Sequence, residues 1–341
     1  MDERRPGLDP SVAEVRRAVR PALRGLGAGS AVVVGLSGGA DSLALAAAVA
    51  FEGPKAGVRA LAVVVDHGLQ IGSADVAAAA AAAARGLGLD ARVTRVEVAG
   101  AGGPEAAART ARYGVLRAAA AEAGAAAVLV AHTLDDQAET VLLGLARGAG
   151  AASLQGMSPA SDLDGVALLR PLLDVRRATT RAACAAQGLE PWEDPHNADI
   201  AYARVRVRER VLPVLEAELG PGIAGALART AAQLREDAEA FDEMIDETIE
   251  DIVEHAEAGI SVSVAALAAN PAALRNRIIR HVVAAEFGQS LTRGQTIEVA
   301  RLVTDWSGQG PIDLPGCRAR RTGGRIEFAA AAAGGDARPT E

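Results

Sequence analysis

The chain has 341 residues, half of them hydrophobic, 2% aromatic, with a formal net charge of −8. Such a length suggests about two domains, and the apolar fraction suffices for a sizeable core built from Ala, Val, Leu and Ile. Two isolated cysteines, Cys184 and Cys317, without a CxxC pair argue against a zinc site, an iron–sulfur cluster or a disulfide framework. The N-terminus lacks the apolar core of a signal peptide. The alanine run at 77–84 is too short for a membrane span, and Arg85 closes it. A reducing cytoplasm is the simplest setting.

The charge is unevenly spread. Residues 236–257 hold eleven acids and no Lys or Arg, which leaves 35 basic against 32 acidic residues elsewhere. Arg204, Arg206, Arg208 and Arg210 form one basic cluster, and Arg318, Arg320, Arg321 and Arg325 another. Such clusters are the footprint of a phosphate-backbone binder. The bland alternative is a solvated Arg-rich surface.

In chain order, 31–36 reads as a short apolar strand ending in Ser-Gly-Gly. Strands at 59–68, 91–98 and 126–133 follow, with Ala-rich helices near 41–51, 73–87 and 104–123 between them. Continuous apolar strands alternating with helices predict a parallel sheet covered on both faces. Ligands of such sheets bind beyond the carboxyl ends of the strands, where polar residues gather at 37–42, 66–67 and 132–136. Leu227, Ala231, Leu234, Ala238, Phe241, Ile245, Ile249 and Ile252 mark one face of a long amphipathic helix. Residues 260–328 read as a small α+β module, with helices near 271–286 and 291–303 and strands around 311–314, 317–321 and 325–328.

Ser37, Gly38, Gly39, Ala40, Asp41 and Ser42 spell SGGADS between a strand and a helix. Glycines permit a sharp turn and close ligand approach. The helix that follows offers unpaired N–H groups and its positive dipole end to an anion, and Ser37 and Ser42 add hydroxyls. No lysine is present to reach a γ-phosphate, so this is not the GxxxxGK[ST] loop. A capped βα turn is the ordinary alternative. The string resembles the signature of PP-loop ATP pyrophosphatases, which implies cleavage of ATP between the α- and β-phosphates, ATP bound with Mg²⁺, and Asp41 as the residue that places the metal or the phosphates.

Further segments resemble the tRNA(Ile)-lysidine synthases. Asp66, His67, Gly68 and Leu69 end the second strand, where a carboxylate suits a ribose hydroxyl. Arg109, Arg112 and Tyr113 share one helix face and match ARxxRY, a segment implied to face the catalytic cleft and anticodon loop. His132, Asp135, Asp136 and Glu139 lie in AHxxDDxxETxLxxLxRGxG, and Leu154, Gly156 and Met157 continue the match. Thr133 and Asp136 also fit a capping box, and Arg147 and Gly148 a helix end. Trp192, Glu193, Asp194, Pro195, His196 and Asn197, with Tyr202 and Arg204 to Arg210, resemble WxEDPSNxDxxYxRNRIR. Here His196 replaces Ser, and Val205 replaces Asn. Leu314, Pro315 and Gly316 resemble LPGG, with Cys317 in place of the second Gly.

The resemblance spans about residues 30 to 328. It implies an α/β fold: a parallel-sheet PP-loop domain (Rossmann-like, adenine nucleotide alpha hydrolase) over 1–215, a long helical linker over 216–258, a small α+β tRNA-binding or specificity domain over 259–330, and a disordered tail over 331–341. It implies a cytoplasmic ligase for tRNA modification that joins lysine to carbon 2 of the wobble cytidine through an adenylated intermediate, turning ATP into AMP and pyrophosphate. Asp41, His132 and Asp136 are then the expected catalytic residues, and Ser37 to Ser42 with Asp66 the ATP site. Arg109, Arg112, Tyr113, Asp135, Glu139, Arg206 and Arg208 are expected to meet lysine or tRNA, with Asp135 and Glu139 attracting the lysine ammonium. The expected partners are tRNA(Ile) with a CAU anticodon and L-lysine, with no membrane, no Zn and no iron–sulfur cluster; a homodimer is compatible. The rival readings are a tRNA cytidine 2-thiolase, which would use cysteine pairs, a nucleotide-amidating ligase, which would need an ammonia-generating domain, and a non-catalytic adenine-nucleotide-binding module.

Overall fold

The computed structural model describes residues 7–68, 70, 72–97, 104–148, 150–256 and 259–331. Helix α1 (Pro10–Gly25) begins where the Asp9 carboxylate accepts the Ser11 N–H at 2.8 Å. Pro10 suits that first position, because a missing N–H loses nothing there. Val12, Val15, Val19 and Leu23 give α1 one buried stripe. The sequence reading missed this helix, whose arginines break up the apolar signal.

Next come β1 (Ala31–Leu36), α2 (Ala40–Ala56), β2 (Arg59–Asp66), α3 (Ser73–Gly86), β3 (Asp90–Arg95), α4 (Pro104–Ala123), β4 (Ala127–Leu129) and α5 (Leu134–Ala146). These follow the expected alternation, with shorter strands. Helix α6 (Ala151–Leu154), the hairpin β5 (Ala160–Leu163) and β6 (Val166–Leu169), and α7 (Arg177–Ala186) complete the layer. The hairpin and α7 were not anticipated, since their strands are four residues long and α7 is mostly Ala, Thr and Arg.

The sheet order is β3-β2-β1-β4-β6-β5, parallel except for the β5 edge. Central Val33 stands beside Leu61 of β2 and Val128 of β4. Alternation sends Val33, Val63 and Val128 to one face, against Leu116, Ala119 and Ala120 of α4. Val32, Val34, Ala62, Val64 and Leu129 go to the other face, under α1, α2, α3 and α7. With both faces covered, every strand residue of this kind is apolar. Each large one, such as Leu129, contributes about 1.5–3 kcal/mol by burial. The chain leaves β1 toward β2 and later returns to its other side as β4. That reversal opens a crevice at the carboxyl ends of these strands.

Beyond α7 come a 3₁₀ turn (Pro195–Ala198), α8 (Ala203–Arg206), a π-helical turn (Val207–Val211), α9 (Leu212–Leu219) and α10 (Ile223–Ile252). The chain divides into two compact units, 1–235 and 236–341. The division falls inside α10 rather than at the expected 215 and 258. The reason lies in packing: Ile223, Ala224 and Leu227 join Ala138, Val207 and Leu212 of the first unit, whereas Phe241, Ile245, Ile249 and Ile252 join the core of the second.

The second unit carries β7 (Val253–Ala256), β8 (Gly259–Ser263), α11 (Val264–Ala269), α12 (Ala272–Phe287), α13 (Arg293–Thr304), β9 (Ile312–Leu314), β10 (Cys317–Thr322) and β11 (Arg325–Ala330). Its antiparallel sheet, β7-β8-β11-β10-β9, buries Cys317, Ala319, Ile326 and Phe328 against α12 and α13. Cys317 is therefore core. The tail expected over 331–341 lies, from 332 onward, outside the described residues. Among the described residues no single helix is long and apolar enough to cross a membrane.

Candidate active site

The turn after β1 is held from within. Gly38 adopts φ +85°, and a Cβ there would meet the Ala80 Cβ of α3 at 3.3 Å. The Ser42 hydroxyl donates to the Gly39 carbonyl at 2.9 Å and accepts the Ser37 N–H at 3.1 Å. Ser42, expected to offer its hydroxyl to an anion, is thus a buried brace of the turn, while Ser37 stays exposed. Gly39 is the residue before α2, and no side chain caps that helix. Its first N–H groups and dipole are left for an anion. The Trp192 N–H donates to the Gly38 carbonyl at 3.0 Å, which docks the expected 191–197 segment beside the loop.

A cavity of about 400 Å³ opens at this crevice. The loop contributes Ser37, Asp41 and Ser42, the end of β2 contributes Asp66 and His67, and the opposite wall carries Arg112, Val130 and His132. The size suits a small-molecule site. Asp66 lines it while already engaged. The Ser73 hydroxyl and Gly68 N–H (3.0 Å) hold its carboxyl below the usual range, aided by Arg95 at 3.7 Å. The carboxylate expected to take a ribose hydroxyl therefore first orders its own turn.

Burial drives the His132 pKa down to about 3, with Arg112, Arg170 and Arg109 adding to the shift and Asp136 opposing it. Its Nδ1 is buried without a hydrogen-bond partner. His67, lowered by burial and then by Arg112, likewise leaves Nδ1 unpaired. Two neutral imidazoles thus face the cavity beside a buried guanidinium. Arg109 and Arg112 lie over the Tyr113 ring at 5.0 and 5.2 Å, so the expected face does assemble. Arg112 lines the cavity, whereas Arg109 is solvent-exposed.

Asp136 and Thr133 form the capping box of α5. The Thr133 N–H and hydroxyl both reach Asp136 Oδ2 at 2.8 Å. Burial raises the Asp136 pKa, but Arg177 and Thr133 outweigh it and the net shift is downward. Asp136 is not part of the cavity lining. Its charge is nevertheless felt by His132.

Helix α7 assembles these parts. The Leu134 N–H donates to the Val175 carbonyl at 2.9 Å, and Asp135 accepts the Arg177 N–H at 2.8 Å. The Thr180 hydroxyl donates to Asp41 of α2, and the Cys184 thiol lies 3.3 Å from the Ala40 carbonyl. Burial pushes that thiol up to about 11. Arg177 sends Nη2 to Asp136 at 2.6 Å, Nη1 to Glu139 at 3.1 Å and Nε to Asp41 at 3.6 Å. Asp41 is raised by burial first and by Asp136; Thr180 and Arg177 oppose that.

Two carboxylates expected to attract the lysine ammonium have partners within the fold. Glu139 has no exposed surface and is paired with Arg177, with Arg208 at 2.8 Å and with Arg204 at 3.6 Å. Its charge is met inside the fold by three guanidinium groups. Asp135 caps α7 and pairs with Arg176 at 3.1 Å. Arg206 and Arg208 also have internal duties: Arg206 holds the Ile200 and Ala201 carbonyls, both at 2.7 Å. Val205 is buried, which explains why an apolar side chain serves at that position. The His196 side chain lies outside the described residues. In the second unit Arg318 pairs with Asp313 and Arg320 with Glu327, but these pairs are exposed. Pairs of that kind are worth roughly 0–1 kcal/mol.

Arg177 and Thr180 were missed by the sequence reading. A signal existed. Arg176 and Arg177 sit at the positive end of α7, where a cation is disfavoured unless carboxylates face it.

The bare N-terminus of α2, closed against β1 by a glycine turn, places this chain among PP-loop nucleotide-binding proteins. The PP-loop domain family matches residues 12–215, and the TilS substrate binding domain family matches residues 263–327. The chain is 62% identical over 305 residues to the tRNA(Ile)-lysidine synthase of Leifsonia xyli subsp. xyli, covering 89% of this chain and 91% of that one. It is 51% identical over 325 residues to the tRNA(Ile)-lysidine synthase of Thermobifida fusca, covering 94% and 98%. The chain belongs to the tRNA(Ile)-lysidine synthase family of ligases. Among solved structures it is similar in fold to the U34-tRNA thiolase NcsA from Methanococcus maripaludis with its 4Fe-4S cluster, at a TM-score of 0.57 and 21% identity over 66% of this chain and 79% of that one.

Proposed function

We propose that this protein joins L-lysine to carbon 2 of the wobble cytidine of tRNA(Ile) with a CAU anticodon, forming lysidine and changing decoding from AUG to AUA. The reading rests most on one observation. A single cavity joins the uncapped N-terminus of α2 and Asp41 on one wall to neutral His132 and cationic Arg112 on the other.

The reaction has two steps. The cytidine O2 attacks the α-phosphorus of ATP, forming the O–P bond and releasing pyrophosphate. The lysine ε-amine then attacks ring carbon 2, and the C–O bond to AMP breaks. The α2 N-terminus suits the leaving pyrophosphate, and Arg112 in the cavity lining supplies positive charge. His132, neutral with a free Nδ1, suits orientation of the base better than proton uptake at its present pKa. Bound phosphates would raise that pKa and bring it toward general-base duty.

One carboxylate at the cavity is compatible with Mg²⁺ carried mainly by the nucleotide phosphates. Asp41 lines the cavity beside the anion cradle, and Mg²⁺ is commonly held by one or two carboxylates plus substrate phosphates. Asp41 would hold the ion, which would neutralise charge on the departing pyrophosphate. The tRNA is expected to engage the second unit through exposed arginines such as Arg318 and Arg320.

The test is incorporation of labelled lysine into purified tRNA(Ile) with a CAU anticodon, with and without ATP. ATP-dependent labelling with AMP release supports the reading. Pyrophosphate release on another tRNA without lysine labelling overturns it.

A further inference from the structure

We infer that Arg177 is a positioning residue that holds Asp41 at the nucleotide cavity and Asp136 in the first turn of α5 in one working arrangement. Asp41 comes from α2 and Asp136 from α5, two elements separated by the whole span of β2 to β4 in sequence. Two carboxylates brought together from different elements repel each other. Arg177 stands between them, 2.6 Å from Asp136 and 3.6 Å from Asp41, with its third arm on Glu139 at 3.1 Å. A guanidinium fits this task, because its planar fork can address several carboxylates at once.

The charge of Glu139 alone does not account for the residue. Glu139 already has Arg208 and Arg204. Nor does local helix stability, since Arg177 occupies the first turn of α7, where the dipole opposes a cation. Its backbone N–H is clamped by Asp135 at 2.8 Å, which fixes where the side chain starts. Thr180, one turn on, holds the other side of Asp41 by donating to Oδ1. Arg177 and Thr180 thus grip Asp41 from one helix while Arg177 also reaches α5.

The inference rests on reading Asp41 as the group that faces the nucleotide phosphates. The experiment measures tRNA(Ile)-dependent ATP–pyrophosphate exchange, without lysine, for the unaltered chain and for Arg177→Met, Arg177→Lys and Asp41→Asn, together with thermal unfolding. Arg177→Met is expected to lower kcat by ~100-fold while the KM for ATP moves less than about threefold, because geometry rather than ground-state binding is lost. Ethylguanidinium in solution is expected to restore at least ~10-fold of that loss. Arg177→Lys keeps the charge without the fork and is expected to stay at least ~10-fold down. A merely structural role would lower the unfolding temperature, leave the folded fraction with normal kcat and show no rescue.

A folded Arg177→Met chain exchanging within about threefold of the unaltered one, with Asp41→Asn inactive, overturns the role of Arg177 and leaves the reading of Asp41 standing. Full exchange by Asp41→Asn overturns both. If Arg177→Met does not fold, Arg177→Lys decides by the same criteria.

Discussion

The Glu139 carboxylate, with no surface exposed to solvent, receives the Arg208 Nε at 2.8 Å. Arg208 sits on a π-helical turn, Val207–Val211, between α8 and α9. Such turns re-aim side chains within a helical segment. The pairing ties this turn to α5, the helix that begins beside His132.

Removing the buried partner of such a pair leaves guanidinium charges uncompensated. Glu139→Ala is expected to destabilise the first unit by about 3–5 kcal/mol. Urea unfolding followed by circular dichroism measures this. An unchanged midpoint would show that the three arginines find other partners at no cost.

His132 makes stability depend on pH. Its pKa is near 3 in the folded chain and 6.5 as a free side chain. Between these values the unfolded state binds a proton that the folded state refuses, so folding weakens as pH falls from about 6.5 toward 3. His132→Asn cannot titrate. Its loss of stability between pH 7 and pH 4.5 is therefore expected to be smaller than that of the unaltered chain. Equal losses in paired urea titrations would place the ring in an ordinary, wet environment.

Gly38→Ala strains the phosphate loop twice, through φ +85° and through contact with Ala80 at 3.3 Å. A left-handed non-glycine residue costs about 1–2 kcal/mol. Relief by turn rotation would misdirect the α2 N-terminus. The expected result is a modest fall in unfolding temperature with a large loss of pyrophosphate release. Full activity would mean the anion does not rest on this turn.

Gln137 grips the backbone of Met157, accepting its N–H at 2.6 Å and donating to its carbonyl at 2.7 Å. Arg235 also serves that carbonyl at 3.1 Å, so only the N–H depends on Gln137 alone. Gln137→Leu is expected to cost about 1–3 kcal/mol for that one orphaned donor. Chemical denaturation reads the difference directly, and a neutral outcome would indicate that water replaces the amide.

The alternating strands, the glycine turn and the Thr133–Asp136 cap were legible because each is a local pattern. Apolar runs such as 31–36 bury on both faces wherever the sheet forms, and a capping box needs residues only three apart. The long α10 helix was legible from its apolar spacing, but not the division within it, because that depends on which core each half joins. Short β5 and β6 gave no periodicity to read.

By itself the sequence determined the strand–helix alternation, the anion-binding turn, and a set of acids and histidines at the strand ends. Only the tertiary structure decided which of those groups face the cavity and which are spent on each other. Glu139, Asp135 and Ser42 look available in the sequence and are engaged in the fold. Arg177, unremarkable in the sequence, joins α2 to α5. The physical reason is that a carboxylate's role depends on its burial and on the cations within a few ångströms. The partners of Asp41 and Glu139, arginines and the Thr180 hydroxyl, come from residues 38 to 139 positions away along the chain, at distances that no local pattern encodes.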